Sequence, residues 1–207
     1  MRNYTFILLI IITILLSLLS KELLNTNDLV ISSLAEQLTN EQISEVVGVQ
    51  KKWEWLGFII IPIILLLKTS VIAAIIDAGC FFFDKEIKYK KIFGIVAKAE
   101  FIFLGVIIFK ILWFYLFQQD YTLEDLQYFY PLSAINITGY DGLDAWWVYP
   151  LQAFNLFELT YWFILAYLLG KELDTNLDKG LSIVASSYGV ALVIWIIGIM
   201  FFTLNMS

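Results

Sequence analysis

Five long apolar runs separated by polar connections mark out the 207-residue chain, and each run is read as a membrane-crossing helix. The first, Phe6 to Leu19, follows Arg2 and has the length of a signal-peptide core. Ser17-Leu18-Leu19-Ser20-Lys21 is a poor small-x-small cleavage site, so this run is expected to be a retained signal anchor. The second covers Trp53 to Phe83 and carries Pro62, Lys68 and Asp77. At 1.5 Å per residue it would be roughly 46 Å long, so it must tilt, kink near Pro62 or project beyond a ~30 Å hydrocarbon core. The third covers Phe101 to Phe117, the fourth Ala145 to Leu169 and the fifth Leu181 to Thr203.

Two of the connections carry helix signals of their own. Thr39 with Gln42, and Thr122 with Asp125, are capping-box patterns, and the helix begun at Thr122 should stop before Pro131. Ile43, Val46 and Val47 give the first of these helices an apolar stripe leading to Trp53 and Trp55 at the interface. Tyr140, Trp146, Trp147 and Tyr149 follow the Thr122 helix and mark the fourth span's entry into the membrane.

Composition then fixes the class. The chain is 60% hydrophobic and 15% charged, and its mean hydropathy is +0.81, which is outside the range of soluble domains. The expected fold is an all-α membrane bundle of five transmembrane helices. Its parts are a signal anchor over residues 1–20, an extracytoplasmic amphipathic segment over 21–52 and a four-helix membrane domain over 53–207.

Charge gives the orientation. The connection after the second span holds Lys85, Lys88, Lys90, Lys91 and Lys98, and the one after the fourth holds Lys171 and Lys179. The connection from Gln118 to Asp144 has no lysine or arginine. The lysine-rich turns therefore belong inside, with the amino-terminus inside and the carboxy-terminus outside. Small-residue faces at Ser70, Ala74 and Ala78, and at Ser182, Ser186 and Val190, should let helices pack closely.

A resemblance runs from Trp55 to Phe202. The turn IKYKKIFGIVAKAEFIFLG, the acidic connection after it, the segment NLFELTYWFILAYLLG and the last helix KGLSIVASSYGVALVIW resemble the bacterial branch of the Yip family. These are five-helix membrane proteins named for their interaction with Ypt/Rab GTPases. The resemblance implies an inside amino-terminus and a membrane adaptor without catalysis, placed in the bacterial inner membrane. Such an adaptor would serve protein trafficking, translocation or the assembly of membrane complexes. Eukaryotic members have a cytosolic amino-terminal domain, whereas five residues precede the first span here, so a GTPase partner is not carried over.

Candidate chemistry is sparse. The chain has one cysteine, Cys80, and no histidine. Nucleophile–histidine dyads and zinc sites of the Cys/His kind are thus excluded, and neither a metal nor a cofactor is expected. No phosphate-binding or dinucleotide fingerprint is present, and nucleic acid is not an expected partner. Asp77 and Glu100 could form an acidic pair near the cytoplasmic face, but nothing around them resembles an aspartyl protease, so no enzyme is expected. Within the spans, Lys68, Lys110, Asn155 and Glu158 form a candidate intramembrane polar cluster, since axial counting puts all three charges between roughly 10 and 20 Å deep. Glu158, helped by Asn155, is expected to pair with Lys68 or Lys110. The leading reading is a protein that binds the bilayer and other integral membrane proteins. The alternative is a small transporter or ion pathway using Lys68, Lys110 and Glu158.

Overall fold

A computed structural model describes residues 4–35 and 37–206; Arg2, which precedes the first span, lies outside them. Among the described residues the chain is all-helical, and its one β-bridge joins Ser133 to Asn155. Four helical stretches are long and apolar enough to cross a membrane: Tyr4–Leu23, Leu56–Phe82, Tyr89–Leu116 and Leu177–Met206. This is an integral membrane protein.

The helices are α1 (Tyr4–Leu23), α2 (Thr26–Ala35), α3 (Asn40–Trp53) and α4 (Leu56–Phe82). After a turn come α5 (Tyr89–Ala99), a 3₁₀ turn (Glu100–Phe103) and α6 (Leu104–Leu116). The short α7 (Leu123–Tyr128) and α8 (Ile135–Thr138) lead to α9 (Ala145–Ala153) and α10 (Leu156–Glu172). Last are α11 (Leu177–Val184), a π-helical turn (Ala185–Gly189) and α12 (Val190–Met206).

Both capping boxes form. Thr39 donates its backbone N–H to Gln42 Oε1 at 3.0 Å and starts α3. Thr122 does the same to Asp125 Oδ2 at 2.8 Å and starts α7, which ends at Tyr128, three residues before Pro131. Asp125 also accepts from the Tyr140 hydroxyl at 2.6 Å, which ties the two ends of the connection together. Burial acts to raise the Asp125 carboxyl, but the hydrogen bonds from Tyr140 and Thr122 outweigh it and hold the group below its ordinary range. The same bond pushes the Tyr140 hydroxyl up to about 12.

The main core lies where α4, α5, α10 and α11 meet. Ile76, Ile92, Val96, Tyr161, Leu165, Leu169 and Ile183 are all nearly inaccessible there. Buried side chains recur at three- and four-residue steps, so each helix turns one stripe inward and leaves the rest to lipid. Ile59, Ile63, Val193, Ile194 and Ile197 are among those left outside. A second cluster of Leu24, Ile111, Phe114 and Leu126 joins the α1–α2 turn to α6 and α7. The anchor helix α1 packs on α5 and α6, with Leu9 buried and Phe6 against Phe93 at 5.3 Å.

Three boundaries differ from the sequence reading. The third span starts at Tyr89 and not at Phe101, so Lys90, Lys91 and Lys98 of the expected connection are helical. The second span does not run on from α3, because the chain turns at Glu54 and Trp55 before α4 begins. The fourth span is not one helix. It breaks at Phe154 and Asn155 into α9 and α10. The break leaves helix-end carbonyls and N–H groups with no partner in the helix. The chain around Ser133 supplies partners: Ala134 N–H donates to Phe154 O at 3.0 Å, and Leu156 N–H donates to Leu132 O at 3.1 Å.

Candidate functional site

Asn155 closes both sides of the break. Its Oδ1 accepts the Glu158 N–H at 2.8 Å and caps α10, while its Nδ2 donates to Gln152 O at 2.9 Å and Ala153 O at 3.1 Å at the end of α9. A side chain with both an acceptor and a donor is needed, which is why asparagine serves here. Asn155→Ala removes one cap and two further hydrogen bonds from a buried position. It is expected to cost about 3 kcal/mol, read as a lowered unfolding midpoint, with Asn155→Asp intermediate. A variant as stable as the parent would show that the break does not depend on this side chain.

Glu158 stands one helical turn after the break. Its Oε1 accepts from Trp162 Nε1 at 2.9 Å and from the Tyr188 hydroxyl at 2.7 Å. Trp162 is on the next turn of α10, whereas Tyr188 comes from the π-helical turn. The extra residue in that turn rotates the helix locally. Gly189, beside Tyr188, lets α10 approach, since a Cβ there would lie 2.5 Å from the Trp162 ring.

The expected ion pair is different from the one observed. Lys68 Nζ donates to Glu100 Oε2 at 2.7 Å and lies 4.1 Å from the centre of the Phe103 ring. Lys68 is half-open to the cavity at 39% side-chain exposure, while Glu100 is 2% exposed. Lys110 points away to the α6–α7 junction, where Nζ donates to Leu126 O. Thus Glu158 pairs with neither lysine. Lys68 and Glu158 line the same cavity, but the 3₁₀ turn brings Glu100 to Lys68 and leaves Glu158 to neutral donors.

The Asp77–Glu100 pair is also not formed. Glu100 is taken by Lys68, and nine residues of α4, roughly 14 Å of rise, separate Lys68 from Asp77. Lys98, two residues before Glu100, is exposed. Beneath the Lys68–Glu100 pair, Tyr161 adjoins the Glu100 carboxyl. Neither the Tyr161 hydroxyl nor Glu100 Oε1 is in hydrogen-bond geometry with a described residue.

These irregular turns surround one cavity of about 720 Å³. Phe103 comes from the 3₁₀ turn, Asn155 and Glu158 from the α9–α10 break, and Tyr188 from the π-helical turn. Lys68 on α4 completes the polar part, and Ile64, Leu67 and Val71 form an apolar wall. Leu67 and Val71 are 60% and 56% exposed, so the wall is open to the membrane. Sequence inspection identified Lys68, Asn155 and Glu158 but missed Tyr188 and Trp162. Their only signal was the polar tip each carries at a helical position that faces the carboxylate.

A second, shallower groove of about 410 Å³ lies towards the other end of α4. Ala78, Gly79, Ser186 and Ser187 line it, with Phe82 and Phe83 at one end, and Ile75 is shared with the larger cavity. Ala74, Ala78, Ser182, Ala185 and Ser186 are exposed. Most of the small-residue faces predicted to bring helices of this chain together therefore look outwards. The close approach between these helices is made by Gly79, where a Cβ would lie 2.6 Å from the Ser187 Cβ. Among the described residues, no group of His, Cys, Asp and Glu side chains could hold a metal ion. No family model, curated protein or solved structure matches the chain.

Proposed function

We propose that this chain is a non-catalytic membrane adaptor or accessory subunit that binds other integral membrane proteins, in keeping with its Yip-like sequence pattern. Its setting would be a bacterial inner membrane, in protein trafficking, translocation or the assembly of membrane complexes. One observation carries the reading. The groove of small side chains between α4 and the π-helical turn is exposed at the surface that faces lipid. Small residues let a second helix approach closely, and hydroxyls such as Ser186 can bond across such a contact.

The proposed topology has five crossings, with α9 and α10 together making the fourth. The 17 residues of α10 span roughly 25 Å alone, and α9 supplies the remainder. The amino-terminus is inside and the carboxy-terminus outside. An ion pair between Lys91 and Glu172 supports this arrangement, since it puts both lysine-bearing turns at one end of the bundle. Cysteines placed at Lys88 and Asp141 are expected to react only from the cytoplasmic and the outer side, respectively; the reverse pattern would overturn the topology.

The adaptor reading is tested by photoreactive residues at Ala78 and Ser186, followed by purification from native membranes in mild detergent. A stoichiometric membrane protein should be cross-linked, and Ala74→Phe with Ala78→Phe should abolish the Ser186 product without unfolding the chain. A lone protein that moves a labelled solute in proteoliposomes would instead support a small transporter. The broken fourth span favours that second reading, because discontinuous helices form transport sites elsewhere. The position of Lys110, outside the cavity lining, speaks against a pathway through all three charges.

A further inference from the structure

Beyond a partner helix in the small-residue groove, the larger cavity has its own ligand chemistry. Lys68 and Glu100 neutralise each other. Glu158 has only neutral donors, both on Oε1, and Oε2 accepts no hydrogen bond among the described residues. The two donors and the capped start of α10 stabilise negative charge on the carboxylate, against the cost of its burial. Lys68 acts on Glu158 only across the cavity, being bonded to Glu100, so a cation in contact with Glu158 would complete the charge balance. Aromatic rings of Tyr130, Tyr149, Tyr188 and Trp195 line the same cavity, a combination suited to an organic cation.

We propose that the cavity binds an amphiphile bearing an ammonium group. The ammonium sits against Glu158 Oε2, and the hydrocarbon leaves along Ile64, Leu67 and Val71 into the bilayer. The size agrees, since about 720 Å³ is within the range of small-molecule sites. The wall also favours a flexible chain over a helix, because Ile64, Leu67, Val71, Leu192 and Trp195 are too large for close helix approach. Trp195 Nε1 donates to the Tyr149 hydroxyl at 2.9 Å, and the Tyr149 proton remains for an acceptor such as a phosphate ester. A phospholipid with an amine headgroup and a simple long-chain amine share the ammonium chemistry, and only the former uses that proton.

The test is native mass spectrometry of the intact protein, released from an uncharged detergent, with phosphatidylethanolamine, phosphatidylglycerol or dodecylammonium added in turn. One phosphatidylethanolamine or one dodecylammonium should be retained per chain, and phosphatidylglycerol should bind at least about tenfold more weakly. Retention of phosphatidylethanolamine alone identifies a headgroup site, and equal retention of both amines identifies an ammonium site that ignores the phosphate. Glu158→Gln should reduce retention about tenfold or more, while Glu172→Gln on the surface should not. Ala191→Phe, which fills the cavity without removing a polar group, should also lose the ligand and keep the parent unfolding midpoint. Equal binding of the anionic lipid, or unchanged binding in folded Glu158→Gln and Ala191→Phe variants, would overturn the proposal. So would a photoreactive residue at Leu67 that cross-links to protein and not to lipid. The Ala78 and Ser186 cross-links should survive Glu158→Gln, so the failure of one reading is separable from that of the other.

Discussion

Lys68→Met is expected to destabilise the protein by about 3 to 5 kcal/mol, because it leaves the buried Glu100 carboxylate without its counter-charge. Glu100 is 2% exposed and Lys68 Nζ lies 2.7 Å away. No other cation pairs with Glu100 among the described residues, and its Oε1 already lacks a partner. Adding Glu100→Gln to Lys68→Met should restore much of the loss, since the double variant buries no net charge. Unfolding by denaturant in detergent measures both. A single variant as stable as the parent would mean that Glu100 is already protonated, and the ion pair would have to be abandoned.

The second large effect is expected at Gly180, in α11 where it crosses α10. A Cβ at this position would lie 2.1 Å from the Ala166 backbone oxygen, which cannot rotate away as a side chain would. Gly180→Val should therefore force the helices apart and cost about 3 kcal/mol or more. Gly48, in α3, has no atom within 4 Å of its would-be Cβ. Gly48→Ala should be neutral or stabilise by up to about 1 kcal/mol, because alanine is the better helix former. Equal midpoints for the two variants would show that α10 and α11 do not approach as closely as described.

The same contact explains the short polar turn between these helices. Asn176 caps α11 through Oδ1, which accepts the Lys179 N–H at 2.9 Å. A Cβ on Gly170 would lie 2.9 Å from the Asn176 carbonyl oxygen. The turn thus needs a small residue at the end of one helix and a small polar cap at the start of the next. Nothing in the sequence says that the two meet.

By itself, the sequence determined the helices and many of their ends. Apolar length marked four helices long enough to cross a membrane, and Thr39 and Thr122 set two starts, since a capping box needs only groups three residues apart. It also singled out Lys68, Asn155 and Glu158, which line one cavity. Only the tertiary structure decided their partners. Counting residues along a helix gives depth, whereas contact also depends on the rotation of each helix about its axis. Packing against Tyr161, Val96 and Ile183 fixes that rotation here. The 3₁₀ turn, the break at Asn155 and the π-helical turn each shift it further. They give Glu100 to Lys68 and leave Glu158 to Trp162 and Tyr188, because a local change of helical pitch redirects every side chain beyond it.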